Sequence, residues 1–419
     1  MMIAKLALRS LSTNRWRSLL SVLGVAVGVA ILICASGYLL GFQADMVRGA
    51  TAPELGQISI AHESYVDRPA SRNALTLGDG LLDRIRQVDG VHDASPRVKV
   101  FGLLGNEDRS VVAKIIGIDP EHESNVTVAR QGLVDGQWLS ASPSPSGAPR
   151  EVVIGYQLAE QLDAKPGAEL VSFFEAADGS LGNDLLRVVG VVRTNVASLD
   201  RQTAFMQLAD LQYTAALEGK ANEIAIKIDD VRDSRPLAAQ LATVTGSVGL
   251  SVRPWEAIMP EIAGLLEVMS SVDLFMYSFV YLIVAFGLFN AQRMSALERR
   301  REFAMMLAIG MAPTRLFSVV LLETVAVVVL GGVGGAALGA LITQYFAVNG
   351  LDWTAFAENE NVSFQYMGVS FSERLHFGLT AATVYRPLLT LLPVALLCGV
   401  WPALTATRTE LRTALSGRN

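Results

Sequence analysis

Four long stretches with almost no charge constrain this chain more than anything else in its sequence. Ser18 to Phe42, Leu274 to Gln292 and Pro387 to Thr407 carry no charged residue, and Leu316 to Val348 carries only Glu323. At ~1.5 Å per residue, each is long enough as a helix to cross the ~30 Å of a bilayer's hydrocarbon. A buried core helix rarely needs so long an uncharged run. We therefore expect membrane spans at 18–42, 269–292, 316–348 and 387–407. The basic leader Lys5, Arg9, Arg15 and Arg17 resembles that of a signal peptide, but the 25 uncharged residues that follow far exceed the apolar core of one. The first run reads as a retained anchor. The two cysteines, Cys34 and Cys398, both fall inside expected spans, where they read as small apolar packing residues rather than a disulfide or metal framework.

Charge orients the spans. Of the 34 Lys and Arg, 12 lie in three places: the N-terminal leader, the 293–315 loop and the tail after 407. Only Glu298, Glu302 and Glu410 accompany them there. By the positive-inside rule these places are cytoplasmic. The expected order is then a cytoplasmic amphipathic helix 1–17 anchored by Trp16, span 18–42, an external domain 43–268, span 269–292, a cytoplasmic loop 293–315, span 316–348, an external loop 349–386, span 387–407 and a tail 408–419. Both termini are expected inside.

The external region reads as a mixed α+β domain. "VVAKIIGID" (111–119), "REVVIGY" (150–156), "AELVSFF" (168–174) and "LLRVVGVV" (185–192) are β-branched runs between turn residues. Helical spacing marks 78–90, 156–163, 208–217 and 234–244. "SASPSPSGAP" (140–149) is a linker that cannot hold a helix. Residues 174–184 read as a polar strand connection with a turn at Asp178-Gly179.

Catalytic constellations are missing from the sequence. "HES" occurs at 62–64 and 122–124, but neither is HExxH, and the four histidines have no metal-ligand spacing; they read as surface loop residues. There is no G-x-S-x-G elbow and no GxxxxGK[ST] phosphate loop. Any ATP the system uses is hydrolysed by another polypeptide.

The spans carry small residues four apart: Gly24/Gly28, Gly37/Gly41, Gly331/Gly335 and Gly335/Gly339. This spacing lets helices approach closely in lipid, either within the chain or with a second subunit. Glu323 is expected to form an ion pair with a basic residue near the cytoplasmic boundary, or to be protonated. Between the second and third spans, "ALERRREFAMMLAIGMAPTRLF" (296–317) reads as a short helix. Phe303, Met306, Leu307 and Gly310 share one face, and Arg299, Arg300 and Arg301 stand towards its start. Gly310 suits the residue after a helix, and Pro313 the first turn of the next. The apolar content exceeds what a topogenic loop needs, so this helix is expected to dock into a groove of a soluble partner.

These residues carry a family resemblance. The opening "LALRSLSTNRWRSLLSVLGVAVGVA", the segment "ALERRREFAMMLAIGMAPTRLFSVVLLE" and the closing "WPALTATRTELRTAL" resemble the MacB/FtsX-like permeases of ABC transporters, the type VII or mechanotransmission class. The external pattern "IIGIDPE…LVDGQWL…REVVIGYQLAEQLDAKPGAELV…LLRVVGVV" is most similar to lipoprotein-releasing permeases of the Lol type. The resemblance implies four spans, with a large α+β periplasmic domain inserted between the first two, in the bacterial inner membrane. It also implies a second permease subunit, identical or homologous, and a dimer of cytoplasmic ATPases that holds the ATP and magnesium. The chain itself is then a non-catalytic subunit. It serves extraction of lipoproteins or a lipid-like cargo from the outer leaflet, with a periplasmic chaperone downstream and no role for nucleic acid. MacB-like export and FtsX-like control of a periplasmic partner are the alternatives. By position, the resemblance assigns ATPase coupling to Arg299, Arg300, Glu302, Phe303, Met306, Leu307 and Gly310. It assigns a lateral gate for cargo to Tyr38, Leu39, Phe42, Met46, Met269, Leu274, Phe275, Tyr277 and Phe279. It assigns a chaperone-recruiting hairpin to Phe174, Glu175, Asp178 and Gly179.

Overall fold

A computed structural model describes residues 15–52, 54–78, 80–194, 196–246, 249–352, 365–366, 369–370 and 374–408. The expected helix at 1–17 falls almost wholly outside the described residues, as does the 408–419 tail beyond Arg408. The chain divides into two units, one built on residues up to 43, 265–352 and 374–408, the other on 44–264.

The first unit is helical. Its long helices are α1 (Arg15–Thr51), running into the second unit, and then, beyond that unit's elements, Pro260–Glu298, Pro313–Asn349 and Ala381–Thr407. All four are long and apolar enough to cross a membrane. They overrun the uncharged stretches because a helix does not stop where hydrocarbon does: 37 residues rise ~55 Å, well beyond a ~30 Å core. The last helix starts at Ala381 rather than at Pro387. Thr380 and Thr383 form a reciprocal cap there, and Pro387, Pro393 and Pro402 all stand inside the helix, as membrane helices allow.

The second unit contains β1 (Ile58–His62), α2 (Glu63–Asp67), β2 (Leu75–Thr76), α3 (Leu81–Arg86), β3 (Val91–Gly105), β4 (Ser110–Ile118), α4 (Pro120–Val126), β5 (Leu133–Gly136) and β6 (Arg150–Gly155). It continues through α5 (Tyr156–Leu162), β7 (Glu169–Glu175), β8 (Leu181–Val192), α6 (Ala197–Gln202), β9 (Thr203–Gln207) and α7 (Leu208–Thr214). It closes with β10 (Lys220–Ala221), β11 (Glu223–Ile228), α8 (Ser234–Thr245), β12 (Leu250–Pro254) and α9 (Trp255–Ile258). The chain then returns to the first unit as α10 (Pro260–Glu298), α11 (Arg300–Ala308), α12 (Pro313–Asn349) and α13 (Ala381–Thr407).

A ten-stranded sheet organises the second unit, in the order β12-β1-β11-β3-β4-β9-β6-β8-β5, with β7 joining β3 to β8. Pairing is antiparallel except at β4–β9 and β6–β8. β3 is shared: residues 93–97 pair with β11, residues 102–105 pair with β7, and 97–105 pair with β4 on the other edge. Two cores result. Ile58, Ile60, Ala94, Ile224 and Ile226 pack under Ile85, Leu237 and Leu241 of α3 and α8. Val98, Val100, Ile115, Val152, Leu170 and Val188 pack with Leu158, Leu162 and Leu211 of α5 and α7. The β-branched runs at 111–119, 150–156, 168–174 and 185–192 are β4, β6, β7 and β8. The four helical patterns are α3, α5, α7 and α8. The linker 140–149 forms no helix and is tied down by Asp210, which accepts from the Ser144 N–H (3.1 Å) and hydroxyl (2.8 Å) and from Arg150 (2.8 Å).

Close helix contact in the first unit is made by glycine. A Cβ on Gly331, Gly335 or Gly339 of α12 would come within 2.7 Å of Val25, 2.3 Å of the Ala26 carbonyl or 3.0 Å of Ala30, all on α1. This row is therefore spent within the chain. Gly28 of α1 meets Val284 of α10, and Gly399 of α13 meets Thr324 of α12. Val25, Val29, Ile33, Val284, Leu288, Val327, Val328, Leu391 and Ala395 fill the space among these helices.

Candidate functional site

The loop between α10 and α12 shows how sequence and packing divide a helix face. α11 ends in a turn at Gly310, whose φ of +98° favours glycine, and Pro313 opens α12. Phe303 is buried against Ala296, Leu316, Val320, Ala403 and Ala406 of the chain's own α10, α12 and α13, and Ala304 beside it is buried too. Met306 and Leu307 lie half-buried beside them. This corrects the expected free face. Phe303, Met306 and Leu307 point into the bundle because α12 and α13 supply the apolar surface that the sequence alone leaves unassigned. The outward apolar residues of this loop are Met305, 50% exposed, and Ile309, 88% exposed, with Arg300, Arg301, Glu302 and Gly310 also outward.

Arg299 sits at the junction of α10 and α11. Its guanidinium donates to Glu302 (Nε–Oε2 2.9 Å) and to Glu323 of α12 (Nη1–Oε2 2.7 Å), and lies 5.1 Å from the centre of the Phe303 ring. Glu323 is 8% exposed. The one carboxylate of the third span thus has the basic partner expected for it.

The residues assigned to a lateral gate scatter in burial. On α10, Leu274, Phe275 and Phe279 are exposed, with the two phenyl rings edge to face at 4.9 Å; Met269 and Tyr277 are half-buried. On α1, Tyr38, Leu39 and Phe42 are half-buried, and Tyr38 stacks on Phe42 and meets Phe377 edge-on at 5.6 Å. Met46 is a correction: at 1% exposed it is a core side chain and offers no surface to a cargo. The sequence reading missed an apolar groove of about 750 Å³ between α1 and α10. Leu20, Gly24, Val27, Gly28 and Ile31 line one side; Val280, Ile283, Gly287, Ala291 and Met294 line the other. Its signal was the glycines: a Cβ at Gly24 or Gly287 would meet no atom within 4 Å. A second apolar hollow of about 450 Å³ lies where Ala30, Cys34 and Tyr38 of α1 face Leu338 and Ile342 of α12.

β7 and β8 form the hairpin. Asp178 accepts from the Ser180 N–H (2.9 Å) and hydroxyl (2.6 Å), and Gly179 takes a φ of +84°. Glu175, Asp178 and Gly179 are exposed, but Phe174 is 4% exposed and packs in the core. Phe174 is therefore a correction to the expected hairpin contact: strand alternation turns it inward and leaves Phe173 facing out. A cleft of about 470 Å³ beside the turn has Tyr65, Lys99 and Phe101 among its lining residues.

The "HES" stretches are not loops. His62 caps α2, accepting from Ser64 N–H, and His122 lies in α4, its Nδ1 3.0 Å from Asp93. Glu123 is 2% exposed and belongs to a buried ionic cluster that sequence reading did not anticipate. Arg97, 1% exposed, donates to both Glu123 oxygens (2.6 and 3.1 Å), to Glu223 (3.3 Å) and to the Glu54 carbonyl. Lys99 pairs with Glu223 (2.6 Å) and Glu54 (3.5 Å), and Lys114 also pairs with Glu54. Burial opposes the Glu54 charge, but the ammoniums of Lys99 and Lys114 outweigh it and bring the carboxyl to about 2. Burial likewise opposes the Arg97 charge, yet Glu123 and Glu223 hold its pKa above the ordinary value. No group of three or more metal-ligating side chains occurs among the described residues.

With this geometry in view, comparison with known proteins is informative. A family model described as the MacB-like periplasmic core domain matches residues 18–244, and one described as FtsX-like permease C-terminal matches 274–411. The lipoprotein-releasing system transmembrane protein LolC of Neisseria meningitidis serogroup B is 22% identical over 330 residues, covering 78% of this chain and 76% of that protein. LolC of Xylella fastidiosa is 23% identical over 331 residues with the same coverage. The macrolide export ATP-binding/permease protein MacB of a Shewanella species is 22% identical over 368 residues, covering 83% of this chain and 53% of that protein. The chain therefore spans about half the length of that relative.

Proposed function

The chain belongs to the MacB/FtsX-like family of ABC transporter permeases, multi-pass membrane subunits with a periplasmic domain that work with an ATPase, and from that premise we propose that it extracts lipoproteins or a lipid-like cargo from the outer leaflet of the inner membrane. The chain is a non-catalytic subunit. In this reading a separate ATPase dimer carries ATP and magnesium and docks on the cytoplasmic loop through Arg300, Met305 and Ile309. Both termini lie on that side, a second permease copy or homologue completes the transporter, and the β7–β8 turn meets a periplasmic chaperone.

The observation that carries the cargo assignment is the apolar groove between α1 and α10. Branched side chains and the pliant Met294 line it, and they suit acyl chains better than a polar solute. Leu274, Phe275 and Phe279 extend apolar surface along α10 beyond it. The test is purification of the chain with its ATPase from native membranes, with mass spectrometry of what stays bound. Acylated protein or lipid is expected, and Val27→Asp is expected to release it. Retention of the same cargo by Val27→Asp contradicts the groove as its seat. The MacB match favours a second reading, export through an outer-membrane partner; a bound non-lipidated cargo would select it.

A further inference from the structure

We propose that the Arg299–Glu323 ion pair is a positioning strut: it transfers movement of the cytoplasmic loop helix directly into the body of the third span, bypassing the turn that joins them. The inference rests on the reading that an ATPase docks on α11.

The covalent route from α11 to α12 is a hydrogen-bonded turn that reaches only the first residues of α12. It passes through residues 309–312, where Gly310 has a positive φ, a Cβ on it would meet no atom within 4 Å, and Ile309 and Ala312 are exposed. A push on α11 transmitted through this turn alone would act at the N-terminal end of α12. Arg299 offers a second route. Glu302 and the Phe303 ring fix its guanidinium to α11, and its other arm reaches Glu323. Glu323 lies ten residues into α12, hence ~15 Å along its axis. The pair therefore grips the helix well inside its length. Phe303, packed on Leu316, Val320 and Ala403, keeps α11 seated while the pair holds its orientation.

The chemistry of the site supports a role beyond filling space. A carboxylate within a span is costly, and a well-packed apolar residue is often at least as stable as a buried ion pair. What a charged pair adds is direction: a short charge-assisted hydrogen bond fixes distance and angle. From α12, displacement has a tight path onward. The Gly331, Gly335 and Gly339 row presses on α1, and α1 runs unbroken from Arg15 to Thr51.

The test uses the full chain in complex with its ATPase, with Cys34 and Cys398 replaced by alanine and spin labels on Tyr213→Cys and on Ala308→Cys, an exposed α11 position outside the residues named for docking. With the pair intact, nucleotide binding is expected to change the label-to-label distance. E323Q is expected to keep the ATPase bound and hydrolysing but to lose most of that change, and R299Q is expected to lose it as well. They are also expected to increase mobility of the Ala308 label in the chain alone. The exchange R299E/E323R is expected to restore more of the change than either reversal alone; loss of the change in E323Q with ATPase binding and hydrolysis kept is what a merely structural role would not produce. Full distance change in R299Q and E323Q, or no recovery in the exchange, overturns the strut. Failure of the unaltered chain to bind the ATPase overturns the docking reading itself, and that outcome is separate from the label mobility of the chain alone.

Discussion

Glu123→Ala is expected to loosen the external domain at its central strand. The carboxylate holds Arg97 through two hydrogen bonds of 2.6 and 3.1 Å and accepts a third from Thr127 (3.0 Å). Both partners of the ion pair are at most 2% exposed, so water cannot replace what is removed. Arg97 keeps only Glu223, at 3.3 Å and already shared with Lys99, and the Glu54 carbonyl. Breaking one side of such a buried pair costs about 3–5 kcal/mol. At ~1.4 kcal/mol per tenfold, that is roughly two to three and a half decades in the local opening constant. Amide hydrogen exchange of peptides covering 91–105 in the intact chain reads this directly. Arg97→Met with Glu123→Leu removes both charges and is expected to recover most of the loss, because no unpaired charge remains. An increase in exchange of less than about fivefold for Glu123→Ala, near 1 kcal/mol, would refute the claim that this pair organises β3.

Three further outcomes follow from the same geometry. Ile309→Asp and Met305→Asp are expected to abolish copurification of the ATPase while the bundle stays folded, whereas Phe303→Asp is expected to unfold the bundle; size-exclusion profiles separate the two effects. Glu54 has a folded pKa of about 2 against an ordinary value of 4.5, so its stabilisation is complete above about 4.5 and lost as the pH falls towards 2. Glu54→Gln should flatten that acid limb of an unfolding curve. Gly335→Leu places carbon within 2.3 Å of the Ala26 carbonyl and should force α1 and α12 apart. The overpacking costs about 1–3 kcal/mol, seen as a lowered Tm in detergent and as reduced cross-linking between cysteines placed on the two helices.

What could be read in the sequence followed local pattern, and what could not depended on distant partners. β4, β6, β7 and β8 are β-branched runs, so composition alone marked them. β3, the longest strand, went unmarked because Asp93, Arg97 and Lys99 interrupt its apolar pattern. Those charges are tolerable because Glu123 and Glu223, 26 and 126 residues away from Arg97, meet Arg97 and Lys99 in the interior, and Arg86 and His122 meet Asp93. The loop helix was legible as a helix with an apolar face. Which neighbour takes that face was not, and α12 and α13 claimed Phe303 ahead of any partner. Phe173 and Phe174 look alike until strand register assigns one outward. The glycine row in α12 was visible, but its contact with α1 was one of two open choices. Glu323 left an ion pair or a protonated carboxyl open, and only the fold selected Arg299 from the loop's basic residues.

The most direct test of the whole account is sidedness. In intact cells, with Cys34 and Cys398 replaced by alanine, a membrane-impermeant maleimide that passes the outer membrane should label Tyr213→Cys. The same reagent should reach Ala312→Cys, exposed and outside the residues named for ATPase docking, only after the inner membrane is opened. Labelling of both positions from the same side would contradict a permease that takes force at one face and moves a folded domain at the other.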